Sequence, residues 1–456
     1  MTTTREVAND TIAAVATAPG RGAIGVLRIS GPRATDIAQR IAGYVPPARM
    51  ATLRALRDAG GAIVDRGLVL HFPAPHSFTG EDVIELQAHG GPVVLDLLLQ
   101  AACAAGARPA RAGEFSERAF LNGRLDLAQA EAITDLIDAG SAAAARAAVR
   151  SLDGEFSRRA NELVDTLIGL RADLEAALDF ADEDDVPWLS LQKLVERIRQ
   201  LDAQLSQLLR EAGQGRRLRE GLVVAIAGRP NVGKSTLLNQ LAGADVAIVS
   251  PIAGTTRDVL RENIIIDGMP LTVIDTAGLR ETDDPIEREG VARARRALNV
   301  AEVALFVIDD SRDIEPADSE LLATLPATAR HILVRNKCDL SGHPPGRIDD
   351  PAMPTIRLSA VTGAGVDLLC KALLEVAGFA AGAEASVFSA RTRHLEALRH
   401  AQTHIVAART LTGQKAAAEL IAEELRLAQN ALEEITGRFT PDDLLGRIFS
   451  TFCIGK

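Results

Sequence analysis

Aromatic residues, cysteines and long apolar runs are scarce or missing in this sequence. Phe, Trp and Tyr make up 3% of the 456 residues, but the apolar fraction of 47% is ample for real cores, and alanine-rich periodic stretches favour helix. The four cysteines show no metal-ligand spacing, so we expect reduced thiols in a cytosolic setting. No run of about 18 apolar residues could span a membrane, and Glu6 and Asp10 argue against a signal peptide. We therefore expect a cytoplasmic protein without membrane contact.

The chain also lacks a positive net charge. Its 50 Lys and Arg residues against 61 Asp and Glu residues give a formal charge of −11. That balance argues against a protein that coats nucleic acid through its overall charge, although local basic clusters can still contact it. The length predicts about two to four domains.

Residue patterns divide the chain into four segments. Residues 1–122 mix short strands with a few helices, which is typical of an α+β domain. Amphipathic helical spacing fills residues 123–218 and returns in residues 380–456, whereas residues 219–379 alternate strand and helix as parallel α/β domains do. We predict an α/β domain inserted into one all-α helical domain, because insertion succeeds where the chain ends of a domain lie close together.

Two stretches interrupt the helical segments, and two charges interrupt the strands. We interpret the acidic residues 182–187 as a solvated loop rather than a divalent-ion site, and residues 213–217 as a linker. Arg28 and Glu85 each stand inside an apolar strand run. By strand alternation they would face solvent, but a domain interior holds few charges, so both are marked as candidates.

The strongest motif is Gly228–Ser235, which fits G-x-x-x-x-G-K-[ST]. The apolar run at residues 222–227 predicts a buried strand before it, and residues 234–241 predict a helix after it. In that geometry backbone N–H groups and a helix N-terminus wrap a polyphosphate, while Lys234 reaches the β- and γ-phosphates and Ser235 ligates Mg²⁺. A structural glycine-rich turn is the alternative.

Four further motifs follow in order. Residues 254–258 offer a threonine to Mg²⁺, and residues 275–278 offer a carboxylate near Mg²⁺ and an N–H group for the γ-phosphate. In residues 336–339, the Asp339 carboxylate can accept hydrogen bonds from N1–H and the 2-amino group of guanine, which adenine lacks. Residues 359–360 would bring a backbone N–H to the guanine O6. Together the five motifs predict a GTPase domain.

The residues expected to contact GTP lie in these motifs or directly beside them. They are Asn231, Val232, Gly233, Lys234, Ser235, Thr236, Ser250, Pro251, Ile252, Ala253, Gly254, Thr255, Thr256, Asp275, Thr276, Ala277, Gly278, Asn336, Lys337, Asp339, Ser359 and Ala360.

The residue that activates water is less obvious. Ras-like GTPases carry Gln directly after Asp-x-x-Gly, but Leu279 occupies that position here and cannot orient water. No arginine finger is evident, and the side-chain oxygen of Asn231 could hold a monovalent cation in its place. Acidic candidates for the water-activating role stay open at this point: Glu281, Asp283, Asp284, Glu287 and Glu289.

Along nearly its whole length the chain resembles the MnmE (TrmE) family of tRNA-modification GTPases. Besides the GTPase motifs, the resemblance rests on residues 78–82 (FTGED), 89–91 (HGG), 113–122 (GEFSERAFLN), 443–449 (DLLGRIF) and 453–456 (CIGK). The last two are diagnostic in a way that a P-loop alone is not. The resemblance implies a Ras-like P-loop GTPase domain inserted in the helical domain and preceded by a folate-binding-like N-terminal domain.

The resemblance also implies a set of ion ligands. GTP hydrolysis in the family occurs when two GTPase domains meet across a K⁺ site. Mg²⁺ would sit on Ser235 and Thr256, and the catalytic glutamate falls on Glu287. The implied K⁺ ligands are the side chain of Asn231 and the backbone carbonyls of Ser250, Ile252 and Thr255.

For the N-terminal domain the resemblance implies a homodimer and a one-carbon tetrahydrofolate, in the 5,10-methylene or 5-formyl form. That ligand would lie near Arg28, Glu85, Arg124 and Lys456, where a carboxylate suits the donors of a pterin edge and cations suit the anionic folate tail. A flavoprotein partner of the MnmG type, which carries FAD, would complete a heterotetramer-type complex. That complex adds an aminomethyl or carboxymethylaminomethyl group to C5 of the wobble uridine, position 34, of certain tRNAs.

Two other classes of protein share part of this pattern. A regulatory or ribosome-assembly GTPase switch shares the P-loop but usually carries an RNA-binding appendage, whereas this appendage is acidic and alanine-rich. A dynamin-like membrane remodeller would need a basic amphipathic anchor, which is missing. Arg108, Arg111 and Arg118 either touch tRNA phosphates or form a solvated face.

Overall fold

The computed structural model describes most of the chain, and the described residues group into two compact units. The described ranges are 10–179, 191–243, 261–275, 301–323, 325–350, 353–379, 387–412, 418–438 and 442–455. The first unit comprises Met1–Thr134, Leu152–Leu201 and His400–Lys456, and the second comprises Asp135–Ser151 and Asp202–Arg399. Within the described ranges, no helix is long and apolar enough to cross a membrane.

The first unit contains a six-stranded sheet in the order β3-β4-β5-β2-β1-β6. Its strands are β1 (Ile12–Val15), β2 (Gly22–Ser30), β3 (Thr52–Arg57), β4 (Ile63–Phe72), β5 (Val83–Gly90) and β6 (Arg108–Pro109). All neighbours are antiparallel except β1 and β6. The predicted mixture of short strands with a few helices is confirmed, and β3 and the short β6 form the two edges of the sheet.

Helices α1 (Ala34–Ala42) and α2 (Pro92–Ala104) pack against this sheet. Alternate strand residues such as Leu27 and Leu86 are fully buried in the shared core, because successive strand side chains point to opposite faces. The other face carries the register pair Arg28 and Glu85. Alternation therefore places those two charges together on the face opposite the helices.

The remaining helices confirm the amphipathic helices that residue spacing predicts. They are α3 (Glu114–Leu121), α4 (Leu127–Ile137), α5 (Ala142–Leu152), α6 (Glu155–Asp179), α7 (Leu191–Glu220), and, after the nucleotide-binding unit, helices over Thr392–Leu411, Ala418–Thr436 and Asp442–Ser450. In the first unit, Leu127 and Ala130 of α4 are buried against Phe449 and Phe452.

The second unit contains a seven-stranded sheet in the order β12-β13-β11-β10-β7-β9-β8. The strands are β7 (Leu222–Ala227), β8 (Arg261–Ile266), β9 (Met269–Asp275), β10 (Val303–Asp309), β11 (Arg330–Asn336), β12 (Gly346–Ile348) and β13 (Thr355–Arg357). Only the edge strands β8 and β12 run antiparallel to their neighbours. Asp267 and Gly268 join β8 to β9 with φ values of 47° and 81°, the positive φ values that a tight Asp-Gly hairpin turn requires.

The helices that accompany this α/β sheet are α8 (Lys234–Gly243), α9 (Pro316–Ala323), α10 (Cys338–Ser341) and α11 (Val366–Val376). The three helices that follow it in the chain are α12 (Thr392–Leu411), α13 (Ala418–Thr436) and α14 (Asp442–Ser450). Near-continuous apolar strands such as β10 are buried on both faces, as parallel strands covered by helices are. The carboxyl ends of β7, β9, β10 and β11 meet at one edge of the sheet, where the nucleotide motifs follow.

The predicted linker at residues 213–217 is wrong, because this stretch lies inside helix α7. A Cβ on Gly215 would stand 1.9 Å from the carbonyl oxygen of Phe388. The glycine therefore permits a close approach between two segments of the second unit, and flexibility is not its role. The acidic residues 182–187 lie outside the described residues. The domain boundaries at residues 122, 218 and 379 stay predictions.

Candidate functional site

The phosphate-binding loop lies between the central strand β7 and helix α8. Asn231 and Gly233 have φ values of 64° and 95°, so both occupy the left-handed region. A Cβ on Gly233 would lie 2.4 Å from Nδ2 of Asn336, which makes glycine obligatory there. Nζ of Lys234 donates hydrogen bonds to the carbonyl oxygens of Gly228 and Arg229 at 2.7 and 2.9 Å. The ammonium group of Lys234 thus lies within the phosphate-binding loop. The backbone N–H groups of the first turn of α8 point toward the same loop.

Asn336 joins this loop to a second one at the edge of the sheet. Its Nδ2 donates to the carbonyl oxygen of Val232 at 2.8 Å, and its Oδ1 accepts from the backbone N–H of Ala360 at 2.9 Å. The residue is 2% exposed. Its side-chain amide therefore acts by holding the phosphate-binding loop and the Ser359–Ala360 turn in register, while Asp339 remains exposed beside it.

Lys337 adopts a left-handed conformation with φ 69°, and its Nζ lies 2.8 Å from Oδ2 of Asp309 at the end of β10. Burial would raise the pKa of Asp309, but hydrogen bonds from Lys337 and Ser311 outweigh that effect and hold the pKa at about 2. The Asp309 carboxylate is therefore ionised at neutral pH, and it holds the ammonium group of Lys337 in the N-K-x-D motif at residues 336–339.

The next residue, Asp310, holds the other side of the same motif. Its fully buried carboxylate accepts from Ser341 Oγ at 2.6 Å and from Arg357 Nε at 3.1 Å, and it lies 3.0 Å from Nδ1 of His343. Burial would raise the pKa of Asp310, but these hydrogen bonds hold it below its ordinary value. Both aspartates lie outside the sequence motifs, although two carboxylates at the end of an apolar strand were an available signal.

A cavity of about 260 Å³ lies beside the phosphate-binding loop. Asn231 and Lys337 line it, together with the ion pair between Arg229 and Glu315, whose closest atoms are 2.6 Å apart. Asn231 is exposed, so its amide oxygen is available to a ligand.

Several predicted nucleotide contacts fall outside the described residues. These are Ser250, Pro251, Ile252, Ala253, Gly254, Thr255, Thr256, Thr276, Ala277, Gly278 and the catalytic candidate Glu287. The structure does place Asp275 at the last position of β9, next to the central strand β7. Ser235 and Thr236 are exposed on the first turn of α8. The described parts of all these motifs therefore converge on one edge of the sheet.

The second candidate site lies in the first unit, around Arg28 on β2 and Glu85 on β5. Nε and Nη2 of Arg28 lie 3.0 and 2.9 Å from Oε1 of Glu85. The two side chains are 22% and 16% exposed, so the expectation that they are solvated strand residues is wrong. The guanidinium stands over the rings of Phe78 and Phe115, 5.5 and 5.8 Å from their centroids.

The end of the chain contributes to the same place. Nη1 of Arg28 lies 3.4 Å from the carbonyl oxygen of Gly455, and Ile454 forms a β-bridge with Ala112. A Cβ on Gly80 would lie 3.3 Å from Cγ of Arg124, so that exposed arginine runs beside the loop that carries Phe78. Lys456 lies outside the described residues.

A buried ion network supports this second site. Arg118 is 3% exposed, and its guanidinium lies 2.6 Å from Asp10, 3.0 Å from Glu81 and 3.3 Å from Glu114. Both earlier interpretations of Arg118, a tRNA contact or a solvated residue, are therefore wrong. Burial would raise the pKa of Glu114, but Arg108 and the N–H of Arg111 hold it at about 2. Arg111 itself is 59% exposed.

The central strand of a parallel sheet ends in this phosphate-binding loop, and Asn336 of the N-K-x-D motif joins the loop to the Ser359–Ala360 segment through hydrogen bonds. This arrangement defines a P-loop GTPase. The family model of the MnmE helical domain matches residues 127–453, and that of the GTP-binding protein TrmE N-terminus matches residues 11–124. The chain belongs to the MnmE (TrmE) family of tRNA modification GTPases, and it is a GTP hydrolase that acts in tRNA modification.

Full-length relatives agree with this assignment. The tRNA modification GTPase MnmE of Nitrosococcus oceani is 53% identical over 448 residues, which cover 98% of this chain and 97% of that protein. Those of Stutzerimonas stutzeri and Pasteurella multocida are 55% and 54% identical and are covered over 99% and 100% of their lengths. The regulatory-switch and membrane-remodeller alternatives are therefore set aside.

Proposed function

We propose that this chain is a K⁺-dependent GTPase that works with a flavoprotein of the MnmG type on the wobble uridine of certain tRNAs. The complex would add an aminomethyl or carboxymethylaminomethyl group to C5 of uridine 34, in the cytoplasm where tRNA is modified. The supporting observation is that one chain of this family carries both a nucleotide site built on Asn336 and a separate charged, aromatic-walled site built on Arg28.

The K⁺ assignment is supported by the chemistry of Asn231. An amide oxygen is a hard donor, and the left-handed backbone of this exposed residue places the side chain at the rim of the phosphate-binding loop. The carbonyls of Ser250, Ile252 and Thr255 would complete the site. A cation there supplies the charge that an arginine finger supplies in other GTPases.

Mg²⁺ and the attacking water are assigned to other residues. The Ser235 hydroxyl, exposed on the first turn of α8, fits a hard divalent ion, and Thr256 would be the second ligand. Glu287 would orient the water. The backbone N–H groups of the loop and Lys234 would neutralise charge that develops on the phosphates, and the exposed Asp339 would accept both guanine donors.

The Arg28 site fits a tetrahydrofolate. Arg28 fixes one oxygen of Glu85, so the carboxylate is held in one orientation toward the hydrogen-bond donors of a pterin edge. Phe78 gives the site an aromatic wall, and Arg124 and Lys456 would attract the anionic tail. The bound folate would supply the one-carbon unit.

A homodimer would cover apolar residues on the same sheet face. Leu53 and Leu68 are cross-strand partners, and they are 63% and 37% exposed. Leu70, two residues along β4 from Leu68, pairs with Glu85 in the register. A second copy that packs here would bury this apolar pair beside the proposed folate site.

Mass spectrometry of wobble uridines tests the proposal. Cells that lack this protein should lose the 5-substituted uridine, and the wild-type gene should restore it. Glu85→Gln should fail to restore it and should lose tetrahydrofolate binding, while Asp96→Asn, which changes an exposed carboxylate of α2 on the other side of the sheet, should behave as wild type. Unmodified tRNA in the complemented cells would contradict the proposal.

A further inference from the structure

Asp135 is a buried carboxylate that none of the nucleotide motifs explains. It lies near the end of α4 and its side chain is 4% exposed. We propose that Asp135 is a positioning residue for the GTP-dependent reaction. It holds the α4–α5 corner, defined as residues 135–151, to the two places where the chain enters and leaves the nucleotide-binding sheet, so that movement of the β8–β9 hairpin is passed into α4.

Three side chains from two segments donate hydrogen bonds to the Asp135 carboxylate. Oδ1 accepts hydrogen bonds from Nε of Arg219 and from Nη2 of Arg391, both at 2.7 Å, and Oδ2 accepts from Oγ of Ser389 at 2.7 Å. Arg219 lies in the last turn of α7, directly before β7, and Ser389 and Arg391 lie directly before α12. One residue therefore ties together the incoming and outgoing chain of the sheet.

The corner is attached to the outgoing segment at further points. Nε of Arg150 donates to the carbonyl oxygen of Val387 at 2.7 Å, and Oγ of Ser151 donates to that of Ser389 at 2.9 Å. The N–H of Ser389 donates to the carbonyl oxygen of Ala147 at 3.1 Å. These bonds, together with the charge pairs, make the corner move with the nucleotide-binding sheet as one body.

The junction between α4 and α5, inside this corner, contacts the β8–β9 hairpin, which connects two of the nucleotide motifs in sequence. Oγ of Ser141 donates to the carbonyl oxygen of Gly268 at 2.7 Å and accepts from the N–H of Ala144 at 3.1 Å, so the start of α5 is capped by a residue bound to the hairpin turn. In sequence, β8 follows the motif at residues 254–258, and β9 ends at Asp275. A shift of either motif with the nucleotide would move this turn.

Helix α4 can carry such a shift because it is continuous. Its first residues, Leu127 and Ala130, are buried with Phe449 of α14, and Asp135 stands two turns later. The backbone hydrogen bonds of a helix resist stretching, so a displacement at one end appears at the other. The buried carboxylate of Asp135 fixes this end, because separating it from Arg219 and Arg391 would leave a buried charge unpaired.

Hydrogen–deuterium exchange on the full chain tests the inference. Wild-type protein with Mg²⁺ and K⁺ should show amide exchange in residues 127–137 that differs at least about threefold between GDP and a non-hydrolysable GTP analogue. Asp135→Asn keeps the shape of the side chain but removes its charge, and it should abolish that difference. Asp138→Asn changes an exposed carboxylate three residues away and should preserve it.

A second readout separates coupling from simple stability. In Asp135→Asn the number of uridines modified per GTP hydrolysed should fall about tenfold, with nucleotide affinity and intrinsic hydrolysis within about twofold of wild type. A purely structural role would lower both rates together and leave the ratio unchanged. If Asp135→Asn fails to fold, Arg391→Lys, which keeps the charge but not the fork geometry, should show an intermediate loss.

Clear results would overturn the proposal. They are a nucleotide-independent exchange rate of α4 in the wild type, an undiminished nucleotide response in a folded Asp135→Asn variant, or an unchanged ratio of modification to hydrolysis. Only the ratio rests on the proposed function. The exchange experiment needs nucleotide binding alone, so a failure of the tRNA chemistry and a failure of this inference are distinguishable.

Discussion

Nδ2 of Asn336 donates a 2.8 Å hydrogen bond to the carbonyl oxygen of Val232, so a residue of the base-recognition motif holds the phosphate-binding loop in place. The same side chain accepts from Ala360. One buried amide thus couples three segments, which lie 104 and 24 residues from one another along the chain.

Asn336→Ala should weaken GTP binding by loosening the two loops that its side chain holds together. It removes two hydrogen bonds to buried backbone groups, each worth about 1 kcal/mol, so the Kd should rise roughly tenfold or more. Titration with a fluorescent GTP analogue measures this change. Asn239→Ala, on the exposed side of α8, is the matched control. Equal affinities in the two variants would show that the loops keep their register without Asn336.

Asp339→Asn should shift base preference from guanine to xanthine. Xanthine presents an oxygen where guanine has its 2-amino group, and an amide can donate to that oxygen where a carboxylate cannot. We expect GTP affinity to fall at least about 100-fold, while XTP becomes the better ligand. Competition binding with the two nucleotides checks it, and an unchanged preference for GTP would remove Asp339 from the base contact.

The K⁺ proposal predicts a cation-specific rate that depends on the Asn231 side chain. Hydrolysis should be at least about tenfold faster in KCl than in NaCl at the same ionic strength. Asn231→Gly should abolish the difference, because glycine keeps the φ of 64° but lacks the amide. Phosphate release in both salts is the measurement. Equal rates for the wild type in the two salts would refute the K⁺ role.

The Asp309–Lys337 pair should contribute stability with a defined pH window. The folded pKa of Asp309 is about 2, below the ordinary value of 3.8, so the ionised form stabilises the folded state above pH 3.8 and the contribution is lost as the pH falls toward 2. The difference corresponds to about 2 kcal/mol.

Urea unfolding followed by circular dichroism checks this window. Asp309→Asn should be less stable than wild type by a constant amount from about pH 5 to 7, and the gap should shrink below about pH 4. Asp349→Asn removes a carboxylate that is 74% exposed and should show almost no such dependence. A gap that persists unchanged to pH 3 would contradict the assigned pair.

Much of the fold could be predicted from local pattern, and the failures have identifiable causes. Strand β7, helix α8 and the Asp267–Gly268 hairpin follow from apolar runs and turn chemistry that operate over a few residues. The misread residues 213–217 show the limit. Glycine is ambiguous in sequence, since it permits flexibility or close approach, and only the nearby carbonyl of Phe388 reveals which applies.

Charged residues divide in the same way. The motifs named the residues that would touch nucleotide, because backbone geometry and phosphate chemistry restrict residue types at fixed spacings. They did not name Asp310 or Asp135, and they gave no hint that Arg118 is buried, because the partners of all three come from distant segments. A side chain that acts by pairing with remote side chains leaves no periodic signal.

The sequence by itself determined the chemistry of this protein: a P-loop, a guanine-reading motif and the order of its domains, all local patterns with restricted residue types. Tertiary structure alone decided which charges are buried and what they hold. Arg28 and Glu85 were marked from sequence, but only strand register made them a pair. Asp135 joins two distant segments only because folding brings Arg219 and Arg391, which are far apart in the chain, to one carboxylate. Burial makes such a charge costly unless paired, so the fold that buries it also fixes its partners.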